Sequence, residues 1–117
     1  MDNSKYRFKN KIYGKCRLVE AVVRDYIFSH RSITFEELKK QFPDKLQFEH
    51  THITIAKYDV FREIHDIDNK SISDRYFSEE IKLADEKIIR INRGWDKDNI
   101  LDFIQRASEL NYIIEKI

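Results

Sequence analysis

Leu18, Val19, Val22, Val23, Tyr26 and Ile27 recur at i, i+1, i+4, i+5, i+8 and i+9, a wide apolar stripe at helical period. Arg17, Glu20 and Arg24 fall on the opposite side, so residues 17–29 read as an amphipathic helix that needs a second layer to cover its stripe. Thr34-Phe35-Glu36-Glu37 then forms a capping box: the Thr hydroxyl accepts from the amide three residues on, and the Glu carboxylate reaches back. Ile33 and Leu38 can staple that end, and Phe35, Leu38 and Phe42 share a face. Pro43 closes the helix because the residue before a proline avoids the α region. Two helices joined at residues 30–33 make a helical pair or a helix-turn-helix-like corner.

Strand signals follow. Residues 50–56 are β-branched and alternate with polar residues, which predicts a strand; residues 57–64 either continue it or form a helical turn. Residues 65–74 read as an exposed loop and Arg75-Tyr76-Phe77 as a short strand. Ile81-Lys82-Leu83 and Ile89-Arg90-Ile91 alternate around the turn at residues 84–87, a β-hairpin. Ile100, Phe103, Ile104, Ala107 and Leu110 mark the buried face of a last helix, capped by Asp96 or Asp98 and closed by Asn111 in the left-handed region. Residues 112–117 then read as a final strand. The expected fold is α+β: an N-terminal helical pair, a small antiparallel sheet with a β-hairpin, a C-terminal helix and a final strand.

At 117 residues the chain is expected to be one domain, long enough to bury about two thirds of its unfolded surface. Eight Phe and six Tyr supply bulk to that core, while two Gly and one Pro leave little material for linkers. The lone Cys16 excludes an intramolecular disulfide, reads as a small packing residue, and suits a cytoplasmic setting. No apolar run approaches the ~20 residues of a membrane span, and the basic N-terminus lacks the apolar region of a secretory signal. No membrane partner is expected.

Charge is unevenly distributed. Residues 1–17 hold Lys5, Arg7, Lys9, Lys11, Lys15 and Arg17 against the single acid Asp2, about +5, although the whole chain is only +1. Tyr6, Phe8 and Tyr13 are interleaved with these cations. Basic side chains neutralise phosphates and aromatic ones stack on unpaired bases, so Lys5, Tyr6, Arg7, Phe8, Lys9, Lys11, Tyr13, Lys15 and Arg17 form the candidate nucleic-acid-binding set. If residues 5–12 are extended, Lys5, Arg7, Lys9 and Lys11 share one side and Tyr6, Phe8 and Ile12 the other. The same alternation fits an edge strand with one wet and one packed face. Residues 1–14 are therefore an arm or an edge strand, and residues 15–117 a single α+β domain.

A second candidate surface is acidic: Asp66, Asp68, Asp74, Glu79, Glu80, Asp85 and Glu86 could occupy the basic nucleic-acid channel of a larger enzyme. Other constellations read as structural. His50 and His52 would share a strand face but lack further ligands, and Glu63, His65, Asp66 and Asp68 lack any accompanying lysine motif or glycine loop. Trp95, just before the last helix, is a core residue or an interface anchor. The helical corner with residues 81–91 as a wing would be a duplex reader, yet its second helix offers Lys39, Lys40 and Gln41 beside Glu36 and Glu37. No nucleophile–base pair, metal-ligand set or cofactor motif is visible, so no enzyme activity and no cofactor are expected.

Ile33-Thr34-Phe35-Glu36-Glu37-Leu38, Phe42-Pro43 and Leu46-Gln47, with Arg75-Tyr76-Phe77, Ile81-Lys82-Leu83-Ala84-Asp85, Trp95, Asn99-Ile100, Phe103-Ile104, Ala107, Leu110 and Tyr112-Ile113, make a pattern of core and turn residues. Over roughly residues 15–117 it resembles a small domain associated with bacterial restriction and other mobile-element proteins. Glu86 and Asn111 stand where that pattern has glycines, and the stretch after Gln47 departs from it. The resemblance carries no catalytic motif. It implies an accessory or regulatory protein, or a phage-type inhibitor of host defence similar to the anti-CRISPR proteins. The expected function is a non-catalytic module that binds RNA, DNA or a nuclease–nucleic-acid complex in bacterial defence or counter-defence. The alternative is an inhibitor that grips a nuclease directly through the acidic set.

Overall fold

The computed structural model describes residues 3–48, 59–67 and 73–117. The fold is α+β. Strands β1 (Lys5–Phe8) and β2 (Lys11–Gly14) lead into helix α1 (Lys15–Ser29), followed by α2 (Phe35–Gln41) and α3 (Lys45–Phe48). Strand β3 (Phe61–Glu63) runs into a 3-10 turn (Ile64–Asp66); β4 (Ile81–Lys82), β5 (Ile88–Ile91), helix α4 (Asn99–Glu109) and β6 (Glu115–Lys116) complete the chain. Two antiparallel three-stranded sheets result, ordered β2-β1-β6 and β3-β5-β4.

The first sheet corrects the extended reading of residues 5–12. Lys9 and Asn10 both take positive φ (49° and 68°), the geometry of a two-residue type I′ turn, and the chain reverses there. Strand β1 is then central, with β2 on one side and β6 on the other, and is not an edge strand. Burial alternates along it: Lys5 and Arg7 are exposed, whereas Tyr6 and Phe8 are core residues.

Both halves share one core. The α1 stripe of Leu18, Val19, Val22 and Val23 packs with Phe42, Phe61, Ile89, Ile91, Ile100 and Phe103. Phe42 stacks on Phe103 at 5.7 Å between centroids, and Trp95 meets Phe103 edge-on at 5.4 Å. The capping box of α2 is complete: the Thr34 hydroxyl accepts from the Glu37 amide at 3.3 Å, and the Glu37 carboxylate accepts from the Thr34 amide at 2.9 Å. A carboxylate oxygen of Asp85, in the β4–β5 turn, accepts from the Phe35 amide at 3.1 Å and braces the same end.

Glu86 and Asn111 both adopt positive φ (73° and 71°), so both occupy left-handed positions of the kind glycine favours. Behind Asn111 the Tyr112 amide donates to the Ala107 carbonyl, closing α4. Capping of α4 falls to Asp96, whose Oδ1 accepts from the amides of Asp98 and Asn99 at 2.8 and 2.9 Å. Two strand expectations shrink. Residues 75–77 contribute only an isolated bridge, Tyr76 to Asn92, and residues 112–117 only Glu115–Lys116, which pair with β1. The strand expected at residues 50–56 lies outside the described residues.

Candidate nucleic-acid interface

The expected basic-aromatic set divides into three groups. Lys5 and Arg7 project from the outer face of the first sheet. Arg7 lies across from Ile12 on β2 and Glu115 on β6, and the Ile117 amide donates to the Lys5 carbonyl. The isoleucines here are open to solvent: Ile12 and Ile117 at 58% and Ile113 at 81% exposure. Lys11 begins the edge strand β2 opposite Phe8, so the turn at Lys9 and Asn10 sets it on the other face from Lys5 and Arg7, where it is exposed at the sheet edge. Among the described residues Lys5, Arg7 and Lys11 have no carboxylate partner.

The second group is committed to the fold. Tyr6 and Phe8 are 3% and 4% exposed, and Phe8 packs edge-on against Tyr112 at 5.6 Å. They cannot stack on bases without unfolding the sheet, which corrects that part of the expectation. Tyr13 is half-buried against the core. Lys9 pairs with Asp25 at 2.7 Å. Arg17 bridges Glu20 at 2.6 Å and Glu79 at 3.2 Å, and its guanidinium lies 4.0 Å from the centre of the Phe77 ring. The Glu20 hydrogen bond raises the Arg17 pKa further above its ordinary value.

The third group lies on the other side of the sheet. Lys15, the first residue of α1, lines a cleft of about 760 Å³ together with Lys97 and Lys116. Sequence reasoning missed the last two, because they join Lys15 only through the docking of α4 and the pairing of β6.

Most of the acidic set is used internally. Glu79 pairs with Arg17, Glu80 with Arg90 at 3.0 Å, and Glu86 with Lys82 at 2.7 Å; Asp85 caps α2. Glu79 is held below the usual carboxylate range by its own backbone amide and then by Arg17. Asp66 and Asp74 are exposed, and Asp68 lies outside the described residues.

The remaining candidates take structural places. Lys39 of α2 donates to Asp44 at 2.6 Å and to the Phe61 carbonyl at 2.8 Å, and Gln41 holds Arg106, so the second helix spends these polar groups inside the fold instead of projecting them toward a duplex. Trp95 is buried with its N–H on the Asn92 carbonyl. Cys16 is half-buried, its thiol 3.9 Å from the Trp95 carbonyl. His65 lies 3.9 Å from Glu63; His50 and His52 are outside the described residues. Among the described residues no group of three or more His, Cys, Asp or Glu could hold a metal ion. No helix among them is long and apolar enough to cross a membrane.

A buried polar cluster that no local sequence signal marks lies between β3 and the start of α4. Asp59, 4% exposed, accepts from Arg62 at 2.7 Å and from the Tyr76 hydroxyl at 2.9 Å, with the Asn92 amide at 3.3 Å. Burial raises the Asp59 pKa, with Arg62 and Lys39 opposing, and burial beside Asp59 raises that of Tyr76. Asn92 also accepts from the Gly94 amide, and Gln47 and Asn99 bond each other nearby. These satisfied groups fix the approach to α4 and hence one wall of the lysine cleft.

Comparison with protein-family models, curated proteins and solved structures found no match.

Proposed function

We propose that the chain is a non-catalytic module that binds nucleic acid, alone or within a nucleoprotein, through the first sheet and its β1–β2 hairpin. The observation that carries this reading is the state of Lys5, Arg7 and Lys11. They stand exposed on adjoining strands without carboxylate partners among the described residues, whereas Lys9 and Arg17 are paired. Unpaired cations on a rigid sheet attract phosphate at no cost in broken ion pairs, and their affinity falls steeply with salt. The neighbouring Ile12 and Ile117 supply apolar contact in place of the aromatic stacking expected from Tyr6 and Phe8. The resemblance to restriction-associated domains suggests bacterial defence or counter-defence as the setting, inside the cytoplasm. The acidic-surface alternative has less behind it, since Glu79, Glu80 and Glu86 are already matched to Arg17, Arg90 and Lys82.

The test is fluorescence anisotropy with labelled single-stranded RNA, single-stranded DNA and duplex DNA at low and physiological salt. The unaltered chain should bind, and the Lys5→Glu/Arg7→Glu/Lys11→Glu variant should lose about tenfold or more at physiological salt. Equal binding by the variant would refute this surface. Absence of binding by the unaltered chain, with a nuclease complex captured in a way that depends on Glu79, Glu80 and Glu86, would establish the inhibitor reading instead.

A further inference from the structure

A groove between the β1–β2 hairpin and α1, on the face of the first sheet away from Lys5 and Arg7, carries an aromatic ring that the fold leaves open. Its volume, about 550 Å³, falls in the range of small-molecule sites, about 300–1,000 Å³. Phe28, in the last turn of α1, is 69% exposed, and among the described side chains no other aromatic is exposed. The Arg31 guanidinium lies over one face of that ring, 4.5 Å from its centre, so the exposure belongs to the other face and the edge. Such stacking uses the guanidinium plane and leaves its N–H edge for an anion, and Arg31 has no carboxylate partner among the described residues. Lys11 reaches the same groove from β2, also without a carboxylate partner among the described residues. The acid in the groove, Asp25, is matched by Lys9 at 2.7 Å and accepts from the Tyr112 hydroxyl at 3.0 Å; Arg24 is already held by Glu20 at 3.4 Å. An open ring with two free cations beside it matches a ligand that joins a flat ring to phosphate.

We infer that an unpaired base stacks on the open face of Phe28, with the phosphates flanking it held by Lys11 and Arg31, so that the chain prefers single-stranded over duplex nucleic acid. The inference rests on the nucleic-acid reading above and sharpens it, supplying the stacking residue that buried Tyr6 and Phe8 cannot be. Lys11 links the two surfaces. Lys5 and Arg7 stand on one face of the sheet and Lys11 on the other, with the edge strand β2 alone between them and solvent, a width of about 5 Å. A single strand whose phosphates meet Lys5 and Arg7 rounds this edge, meets Lys11 and enters the groove. A paired base would have to leave its stack to lie on Phe28, and the energy of unpairing selects against duplex.

The experiment measures anisotropy of labelled single-stranded RNA, single-stranded DNA and a hairpin duplex across a salt series. Single strands should bind the unaltered chain about tenfold or more tighter than duplex; the RNA and DNA arms identify which sugar is preferred. Phe28 is exposed, so Phe28→Ala should keep the melting temperature of the unaltered chain. It should lose about tenfold in single-strand affinity with its salt slope unchanged, because stacking releases no counterions, and its duplex binding should stay within about twofold. Phe28→Trp keeps a flat ring and should retain single-strand affinity. Its added tryptophan should be quenched by unlabelled single strands, a response that the unaltered chain, whose single tryptophan Trp95 is buried, should lack. Arg31→Gln should weaken single-strand binding and flatten the salt slope by about 0.7. Unchanged single-strand affinity in Phe28→Ala, or equal single-strand and duplex affinity in the unaltered chain, would overturn the groove while leaving the sheet surface standing. No binding by the unaltered chain would overturn both.

Discussion

In the sheet β3-β5-β4 the charged side chains face inward or face each other: Arg62 rests on buried Asp59, Arg90 on Glu80 and Lys82 on Glu86. In the sheet β2-β1-β6 Lys5, Arg7 and Lys11 are exposed, as are Ile12 on β2 and Ile113 and Ile117 flanking β6. Both sheets are three-stranded and antiparallel, and both feed the same core. The difference between them is the use of charge. Pairing consumes most of the formal charge on the second sheet and leaves that of the first available, so the pattern of partners locates an interface better than the count of lysines does.

The largest expected effect divides the first sheet into its two faces. Phe8→Ala removes a core ring and should cost about 3–5 kcal/mol in chemical denaturation, whereas Lys5→Glu/Arg7→Glu should stay within about 0.5 kcal/mol and act on binding alone. A stable Phe8→Ala variant with lost binding would return Phe8 to the role of a stacking residue and undo the comparison.

The second sheet should answer differently. Asp59→Ala leaves Arg62 and the Tyr76 hydroxyl without their acceptor and should cost about 3 kcal/mol by the same measurement, with nucleic-acid affinity of the folded fraction unchanged. An altered affinity there would mean that the second sheet takes part in binding.

Smaller still are the pH effects, which run in opposite directions for two carboxylates. Burial raises Asp59 above its ordinary 3.8, so its protonated form is favoured in the folded state. Relative to an Asp59→Asn variant, the unaltered chain should lose stability as pH rises from about 3.8 through the raised value. Glu37 is lowered below 4.5, first by the Thr34 amide and then by its hydroxyl. Its advantage over Glu37→Gln should be full above 4.5 and fade as pH falls through the lowered value. Paired melting curves between pH 3 and pH 7 distinguish the two slopes, and parallel curves would show that neither environment acts as described.

Local chemistry was legible before the fold was known. The capping box at Thr34 and Glu37, the α1 stripe, the hairpin at residues 81–91 and the left-handed Asn111 each depend on neighbours a few residues apart. What escaped depends on distant partners. Nothing near Lys5–Phe8 announces that β6, more than a hundred residues later, will make it a central strand. The Lys9-Asn10 turn lacks the glycine that usually marks such a reversal, so the run reads as straight in sequence. The basic block was visible as composition. Which of its cations remain unpaired was not, because Asp25 and Glu79 reach Lys9 and Arg17 through tertiary packing. Lys97 and Lys116 join Lys15 for the same reason.

The most direct measurement is the salt dependence of single-strand binding for the unaltered chain beside Lys5→Glu/Arg7→Glu/Lys11→Glu. Each phosphate contact on a single strand contributes about 0.7 to the slope of log affinity against log salt, so removing three should flatten that slope by about 2. A shallower slope with weakened binding is the expected result. Identical slopes and affinities for the two chains would contradict the claim that the unpaired cations of the β1–β2 hairpin meet the phosphates.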